Sequence, residues 1–305
     1  MKHKDFVSIR SVTTDELREF LIDAVAIKAD PSNYSEMLKG KTLAMVFEKP
    51  SLRTRVTFDV GMHQLGGHAI YLSPAEISLG KRESVADVAR NLERMVQGIM
   101  IRTFGHEIVE EMAALASIPV INGLSDFSHP CQALADYMTI IEIKGDLNGL
   151  KVAYVGDGNN VSNSLMFGAA RLGVHIAVAT PRGYEPAEQV IKWTNEQGRQ
   201  TGCKLDVTND PAAAASGADV IYTDVWTSMG QEAEAAERRR IFQPYQVNEK
   251  LFSHAKPDAI FMHCLPAHRG EEVSAGIIDS PRSVVFHQAE NRLHAQKAVL
   301  LSLMG

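Results

Sequence analysis

The sequence is short of cysteine and of long apolar runs. Its 305 residues contain 3 cysteines, at positions 131, 203 and 264, and this odd, widely spaced set argues against a disulfide framework. No apolar run approaches the ~20 residues that a membrane-spanning helix requires, and the N-terminal residues lack the apolar core of a signal peptide. We therefore expect a cytoplasmic protein that does not bind a membrane.

An excess of positive charge is also absent. Lysine and arginine total 31 against 37 aspartates and glutamates, which gives a net charge of −6. A basic face for nucleic acid is therefore not expected, and any phosphate must be held by a few placed cations. The hydrophobic share of 45% and the charged share of 22% are typical of a globular protein, and the length suits two domains.

Short apolar runs alternate with amphipathic helical segments through most of the chain. Strands are predicted in a first series at 42–47, 68–72, 98–102 and 118–122, and in a second series at 151–155, 174–179, 204–208, 218–223 and 259–263. Ser84 and Asp87 have the spacing of a helix cap and its reciprocal acid, which predicts a helix over 84–96. The alternation predicts an α/β fold whose two domains each contain a central parallel sheet flanked by helices.

The polar turn at 144–149, which follows a predicted helix at 131–144, separates the two strand series. We place the domain boundary there, so that the first domain covers 1–145 and the second covers 146–287. A last helix, at about 288–305, is expected to join the first domain. The two domains are thus linked by one helix at the boundary and by the C-terminal helix.

The segment 48–58 carries the first candidate site. Pro50 and Ser51 follow a predicted strand and have the pattern of a helix start, with Ser51 as the cap. Arg53 and Arg55 add positive charge to the first turn, where free amide N–H groups and the helix dipole already favour an anion. Because cations at this end oppose the dipole, a bound phosphate explains them better than a solvated helix surface does.

Two further candidate positions follow later strands of the first series. Arg102 ends a strand, where ligands gather in open parallel sheets, although a surface salt bridge is the alternative. His129 and Gln132 lie between a strand and a helix, where an imidazole can donate to an oxygen that gains charge and an amide can hold an amide-like group. A structural role is the alternative for His129, and Cys131 is interpreted as a packing residue rather than a nucleophile.

The glycine-rich segment after the first strand of the second series resembles a dinucleotide fingerprint but departs from it. Gly156 and Gly158 fit, whereas Val161 occupies the third glycine position, and no acidic residue ends the next strand. Nicotinamide binding is therefore not expected. Asn159 and Asn160 instead offer neutral donors and acceptors at a helix start, which suit an amino-acid carboxylate.

The last strands and the last helix supply the remaining candidates. Asp224 ends a strand and can bind an ammonium group, next to a loop that we interpret as mobile. Cys264 follows the final predicted strand, and Arg292 lies at the start of the last helix. His263, Cys264 and His268 could suggest zinc, but the spacings C-x-x-C and H-x-x-x-H are absent, so neither a metal nor a cofactor is expected.

These motifs resemble those of the carbamoyltransferase family, and within it the ornithine branch. They follow the family's order between residues 42 and 304. The family patterns S-T-R-T-R and H-P-x-Q are matched by Ser51–Arg55 and His129–Gln132. The ornithine branch is marked by D-x-x-x-S-M-G and H-C-L-P, which are matched by Asp224–Gly230 and His263–Pro266.

The resemblance implies an enzyme of arginine biosynthesis that moves the carbamoyl group of carbamoyl phosphate to L-ornithine, giving L-citrulline and phosphate. The first domain would bind carbamoyl phosphate and the second ornithine, and domain closure would bring them together. A homotrimer with active sites at subunit interfaces is implied, with small-molecule partners and no nucleic acid. The sequence does not indicate the physiological direction or any assembly beyond the trimer.

The resemblance also implies roles for individual residues. Carbamoyl phosphate would be bound by Ser51, Leu52, Arg53, Thr54, Ser78, Arg102, His129, Pro130, Cys131, Gln132, Cys264, Leu265 and Arg292. Ornithine would be bound by Asn160, Asp224, Ser228 and Met229. The catalytic residues among these would be Arg102, His129, Asp224 and Cys264.

Two positions depart from the family pattern. Leu52 replaces the usual threonine but keeps its backbone N–H, so phosphate binding is expected to survive. Ser78 stands where ornithine enzymes often have a glutamine that reaches into the neighbouring site. Ser78, Lys81 and Arg82 are therefore all candidates for that role.

Two other functions stay open. A sensor of amino acids or polyamines on a transferase fold would also fit the fold, because a fold alone does not guarantee activity. Such a sensor would not need to keep the phosphate site. Transfer to another amine, such as acetylornithine or putrescine, is disfavoured by the Ser228-Met229-Gly230 loop, and a substrate panel would decide.

Overall fold

Two parallel sheets organise the chain. The computed structural model describes residues 4–80 and 82–305, which fall into two units. Unit 1 comprises the residues up to Met138 together with Glu290–Gly305, and unit 2 comprises Thr139–Ala289. The predicted domain limits, and the substrate assigned to each domain, stay predictions.

Unit 1 contains a four-stranded sheet in the order β2-β1-β3-β4, with all pairs parallel. Its strands are β1 Thr42–Phe47, β2 His68–Leu72, β3 Gly98–Arg102 and β4 Val120–Leu124. The helices that begin in this unit are α1 Thr14–Ala29, α2 Leu52–Gln64, α3 Pro74–Ile77, α4 Val85–Leu92, α5 His106–Leu115 and α6 Pro130–Lys144.

Unit 2 contains a five-stranded parallel sheet in the order β7-β6-β5-β8-β9. Its strands are β5 Lys151–Val155, β6 His175–Ala179, β7 Leu205–Thr208, β8 Val220–Thr223 and β9 Ile260–His263. The helices that begin in this unit are α7 Asn160–Leu172, α8 Glu188–Thr201, α9 Pro211–Ala215, α10 Ala235–Phe242, α11 Glu249–Phe252, α12 Ala275–Ile278 and α13 Val285–Met304.

The strand order creates one switch point in each sheet. In unit 1 the chain leaves β1 toward β2 on one side, while β3 pairs on the other side. In unit 2 the chain leaves β5 toward β6, while β8 pairs on the other side. Loops diverge at such points, and the space beyond the carboxyl ends of the strands becomes available to a ligand.

The central strands are buried because helices cover both faces of a parallel sheet. All residues of the central strands β3 and β8 are buried, as are those of the edge strand β9, whereas the edge strand β2 is buried at none of its positions. Burying one large aliphatic or aromatic side chain contributes about 1.5–3 kcal/mol, so these strands form the rigid part of each unit. The loops that follow these strands are therefore anchored to a rigid sheet.

The predicted α/β fold with two parallel sheets is confirmed, and the differences are local. The strand predicted at 118–122 runs from Val120 to Leu124, because Pro119 has no N–H and only its carbonyl joins the sheet, accepting from Ile99 at 2.9 Å. The helix predicted over 84–96 ends at Leu92. Ser84 caps it as predicted, but the Asp87 carboxylate accepts from the Ser84 hydroxyl and not from its amide.

Among the described residues, no helix is both long and apolar enough to cross a membrane.

Candidate active site

The start of α2 forms the first part of the site in unit 1. Ser51 is the N-cap, and its hydroxyl accepts from the Thr54 amide at 3.2 Å. The first turn contains no acidic residue, although acidic residues are favoured there by the helix dipole. Because the first turn of a helix also leaves amide N–H groups outside its ladder, this end of α2 is suited to an anion.

The two arginines of this turn lie in different environments. Arg55 is exposed and stacks on the ring of Tyr71, with its Cζ 4.0 Å from the ring centroid. Arg53 is half-buried, and its charge acts on His129. Only Arg53 therefore joins the remaining groups of the site.

Arg292 of α13 binds two of the predicted site residues. Its Nη1 donates to Gln132 Oε1 at 2.7 Å, and its Nη2 donates to Thr54 Oγ1 at 3.2 Å. The amide group of Gln132 in turn donates to Asp136 Oδ1 at 2.8 Å. All four side chains are buried. Because charge-assisted hydrogen bonds contribute about 1.5–3 kcal/mol each, Arg292 fixes both Thr54 and Gln132.

His129 lies directly before α6 and is buried. Burial lowers the pKa of His129 well below its ordinary value. Nearby positive charges lower it further, in the order Arg292, Arg102 and Arg53. The imidazole is therefore neutral at physiological pH, which lets it donate one hydrogen bond beside three cations that favour an anion.

Other predicted residues of unit 1 have different surroundings. Burial raises the pKa of Cys131 to about 12, and its thiol donates to Asn122 O at 3.5 Å, so a packing role is favoured over a nucleophile. Ser78 ends α3 with a φ of 42°, and its hydroxyl donates to Pro74 O at 3.1 Å. Arg82 Nη1 donates to Glu76 O, and Lys81 lies outside the described residues.

Asp224 is the centre of the candidate site in unit 2. It follows β8 and is buried. Its Oδ1 accepts from Cys264 Sγ at 2.9 Å and from the Val225 amide at 2.8 Å, and its Oδ2 accepts from Asn159 Nδ2 at 2.8 Å. These three donors hold the carboxylate at the switch point between β5 and β8.

Asn159 links this carboxylate to the start of α7. Its Oδ1 caps the helix by accepting from the amides of Val161 and Ser162 at 3.0 and 3.1 Å. The same oxygen accepts from the Tyr154 hydroxyl at 3.2 Å. Burial raises the pKa of Tyr154 well above its ordinary value, and the Asp224 charge raises it further, so this hydroxyl stays protonated. Asn160, the predicted ligand, is the first residue of α7 and is only half-buried.

Gly158 explains why this loop differs from a dinucleotide site. A Cβ at Gly158 would lie 2.4 Å from the Pro186 nitrogen and 2.6 Å from the Tyr184 carbonyl oxygen. The glycine therefore permits close contact with the loop that follows β6, and its amide donates to Tyr184 O at 2.9 Å. Gly158 therefore allows two loops of the chain to pack closely, and it is not needed to bring the backbone close to a pyrophosphate.

The segment after β9 is held by a buried histidine and glutamate. His263 Nδ1 accepts from the Leu265 amide at 2.8 Å, so its Nε2 carries the proton and donates to Glu272 Oε1 at 3.1 Å. Burial opposes ionisation of Glu272, but hydrogen bonds from His263 and the His268 amide outweigh it and lower the pKa of this carboxyl. Leu265 has a φ of 57°, a conformation that costs a non-glycine residue energy and needs such support.

The loop that carries Ser228 and Met229 is anchored at its base. Ser228 and Gln231 close a turn, with the Gln231 amide donating to Ser228 O at 3.0 Å. Arg238 is buried; its Nε donates to Trp226 O at 2.5 Å, and its Nη2 forms an ion pair with Asp157. Burial raises the pKa of Asp157 to about 6, and the charge of Arg238 opposes that rise. Arg238 thus joins this loop to the loop after β5.

Both units match models of one enzyme family. Residues 4–142 match the carbamoyl-P binding domain of aspartate/ornithine carbamoyltransferase, and residues 148–303 match the Asp/Orn binding domain. The chain belongs to the aspartate/ornithine carbamoyltransferase family.

Relatives within this family are similar along almost their whole length. The ornithine carbamoyltransferase of Thermococcus kodakarensis is 57% identical over 304 residues, which cover 99% of this chain and 96% of the relative. The solved structure of ornithine carbamoyltransferase from Pyrococcus furiosus is 57% identical, covers 99% of this chain and 97% of its own, and has a TM-score of 0.96. The structure from Thermus thermophilus is 49% identical, covers 100% of both chains and has a TM-score of 0.91.

The predicted carbamoyltransferase residues form two clusters in the described chain. In unit 1, Arg292 contacts Thr54 and Gln132 directly, and the charges of Arg53 and Arg102 act on His129. In unit 2, Asp224 and Cys264 are in direct contact. The described contacts do not bring Ser78, Ser228 or Met229 to these clusters, and their predicted roles stay predictions.

Several residues that hold the predicted site residues or the loops beside them were not identified from the sequence. Asp136 stands four residues after Gln132, a spacing that places both on one helix face and could have revealed the pair. Asn159 was noted but not as the partner of Asp224. Glu272 and Arg238 act through tertiary contacts with His263 and Asp157, and no local pattern marks such contacts.

Proposed function

We propose that this protein transfers the carbamoyl group of carbamoyl phosphate to the δ-amine of L-ornithine, giving L-citrulline and phosphate. The observation that carries the proposal is the contact of Cys264 with Asp224 at the strand ends of unit 2. A buried carboxylate there suits an acceptor with a side-chain amine, such as ornithine, better than one with a side-chain carboxylate, such as aspartate. The ornithine carbamoyltransferases that resemble this chain along its length support the same acceptor.

Carbamoyl phosphate is assigned to the cluster in unit 1. Ser51, the amides of Leu52 and Arg53, and Thr54 bind the phosphate at the start of α2. Arg102, His129, Gln132 and Arg292 surround the carbamoyl end. The assignment of Pro130, Cys131, Cys264 and Leu265 to this substrate rests on the family motif alone, and that of Ser78 on its position in place of the family's glutamine.

The chemistry at the carbamoyl carbon needs charge stabilisation rather than a covalent enzyme intermediate. The amine nitrogen attacks this carbon, the carbamoyl oxygen gains negative charge, and the C–O bond to phosphate then breaks. Arg102 and the neutral His129 donate to that oxygen, and each such donor is worth about 2.7–4 kcal/mol in comparable sites. The attacking nitrogen gives up one proton as the new C–N bond forms, and the departing phosphate takes up that proton. The arginines also stabilise the phosphate.

The acceptor amine must lose a proton before it attacks. An alkyl amine has a pKa near ~10.4, so about one molecule in a few thousand is neutral at pH 7. Asp224 binds the ammonium form and, with Cys264, orients the nitrogen when it is neutral. Asn160, Ser228 and Met229 hold the α-amino and α-carboxylate end of ornithine.

We also propose a homotrimer with active sites at its subunit interfaces. Leu52, Val56 and Val60 are exposed on α2 at helical spacing, by 74%, 48% and 37%. Ile70 on the adjacent edge strand β2 is 40% exposed. An apolar stripe beside an edge strand is typical of a surface that a second copy covers. Light scattering should give three times the mass of one chain, and Val56→Glu should lower it.

The biosynthetic direction and the cytoplasmic location are each proposed from one observation. The Pyrococcus furiosus relative is named as an anabolic ornithine carbamoyltransferase and is 57% identical, which supports the direction of arginine biosynthesis. All three cysteines are free, which supports a reducing compartment such as the cytoplasm.

The activity is tested by incubating the purified protein with carbamoyl phosphate and one acceptor amine at a time. Citrulline should form from ornithine, whereas putrescine, acetylornithine and aspartate should react at least a hundredfold more slowly. Faster turnover of another acceptor would contradict the substrate. Turnover of none of them would favour a sensor.

A further inference from the structure

A tight turn beyond the candidate active site brings three metal-ligating side chains together. The Glu271 amide donates to His268 O at 2.9 Å, and the Gly270 amide donates to Val273 O at 2.8 Å. The turn is thus closed by its own backbone. Its side chains His268, Glu271 and Glu272 each offer one ligand atom, and these atoms lie within 4.8 Å of one another.

This group is separate from the residues assigned to the reaction. Within residues 4–80 and 82–305, one other group of such donors meets the same distance limit, namely Asp224, His263 and Cys264. That group belongs to the candidate active site. The group in the turn contains none of the residues assigned to either substrate.

Glu272 provides an independent sign of a ligand. Its side chain is fully buried, and its Oε1 accepts from the His268 amide at 2.6 Å and from His263. Its Oε2 is buried and has no hydrogen-bond partner. Leaving such an oxygen unsatisfied costs about 1–3 kcal/mol or more. His268 Nδ1 lies 3.7 Å from this oxygen.

The distance between His268 Nδ1 and Glu272 Oε2 is close to that of two atoms that bind the same ion. With ligand bonds of ~2.1 Å, two ligands of a tetrahedral zinc ion stand about 3.4 Å apart. His268 Nδ1 and Glu272 Oε2 need to move by only a few tenths of an ångström from 3.7 Å. His268 is 54% exposed, so it has the freedom to adjust and leaves the fourth position open to water.

Arg239 is the main competitor for the third ligand. Its Nε lies 2.9 Å from Glu271 Oε1, but Arg239 is 59% exposed. Surface ion pairs of this kind contribute about 0–1 kcal/mol. A divalent cation beside two carboxylates and an imidazole outweighs that contribution, so Glu271 is available to the ion.

We propose that His268, Glu271 and Glu272 bind a divalent first-row transition-metal ion, with zinc the best match to one imidazole and two carboxylates. The ion is not a reactant in carbamoyl transfer. It acts on the active site through Glu272, because the same carboxylate holds His263, which in turn accepts from the Leu265 amide. Binding draws charge from Glu272 and weakens its hold on His263.

Direct binding is measured with zinc and a chromophoric chelator as competitor, after the protein has been stripped with EDTA. The measurements use a Cys264→Ala background, which removes one donor of the active-site group. His268→Asn and Glu271→Gln should each weaken zinc binding at least tenfold. The exposed His254→Asn and Glu237→Gln serve as matched controls and should not change it.

The proposal would be overturned if His268→Asn and Glu271→Gln bound zinc as tightly as the Cys264→Ala parent protein. It would also be overturned if that parent bound zinc more weakly than millimolar. His268 is exposed and Glu271 is half-buried, and the controls report the effect of losing a histidine or a carboxylate elsewhere on the surface. The readout is binding and not activity. Failure of the proposed transferase activity would therefore leave this result unaffected.

Discussion

The Cys264 thiol donates to Asp224 Oδ1 across 2.9 Å, although 40 positions separate the two residues in sequence. Each residue directly follows its strand, and β8 and β9 are parallel neighbours. Parallel pairing therefore brings the two side chains to the same edge of the sheet. The contact depends on the register of Thr223 with His263.

Removing the charge of Asp224 should lower kcat/KM for ornithine far more than kcat/KM for carbamoyl phosphate. Asp224→Asn keeps the shape of the side chain but loses the attraction for an ammonium group. We expect kcat/KM for ornithine to fall at least 100-fold, which corresponds to about 2.7 kcal/mol. The exposed Asp206→Asn is the matched control in unit 2. Equal losses in both variants, or none in Asp224→Asn, would contradict the role.

The rate should rise toward alkaline pH because the neutral amine is scarce at pH 7. Tyr154 does not cause this rise, since its pKa lies well above the ordinary value. Initial rates at low ornithine should therefore increase between pH 6 and 9, and Tyr154→Phe should leave the midpoint in place. A flat profile would argue against selection of the neutral amine.

Arg292 should position the carbamoyl phosphate cluster. Arg292→Gln removes the hydrogen bonds to Thr54 and Gln132 together with one positive charge. We expect KM for carbamoyl phosphate to rise at least tenfold, with a smaller rise for ornithine. Steady-state kinetics with each substrate varied in turn would test this. Arg18→Gln, an exposed change in unit 1, should behave like the unchanged protein.

His129 should make the free energy of unfolding depend on pH. Burial keeps its pKa below the ordinary value of about 6.5, so the unfolded chain binds the proton more readily. Stability should therefore be full above pH 6.5 and fall as the pH drops, by up to about 1.4 kcal/mol per pH unit for this group. Urea unfolding at pH 7 and pH 5.5 should show a smaller difference in His129→Gln than in the exposed control His254→Gln.

Arg238 should support ornithine binding from a distance. It joins the carbonyl of Trp226 to the carboxylate of Asp157. Arg238→Gln should raise KM for ornithine about tenfold or more while KM for carbamoyl phosphate changes little. Arg240→Gln, on the exposed side of the same helix, is the control. If both KM values rise together, Arg238 has a general structural role instead.

Much of the fold could be predicted because parallel strands leave a local signal. Apolar runs such as TLAMVF give β1 its limits, and Ser51 marks the start of α2. Arg102, His129 and Asp224 could be found because they lie at the end of a strand, directly before a helix and directly after a strand. Glu272 and Arg238 could not be found in this way, because they act on His263 and Asp157, which only folding brings near them. The spacing of Asp136 from Gln132 does mark a shared helix face, but the sequence does not show that Arg292 binds the same glutamine.

The backbone amide and the side chain of Leu52 have different surroundings. Its side chain is 74% exposed at the start of α2, and in the proposed phosphate site only its amide takes part. Phosphate affinity therefore places no demand on the identity of this side chain. Variation at position 52 among relatives should instead follow the subunit surface that the proposed trimer places over α2.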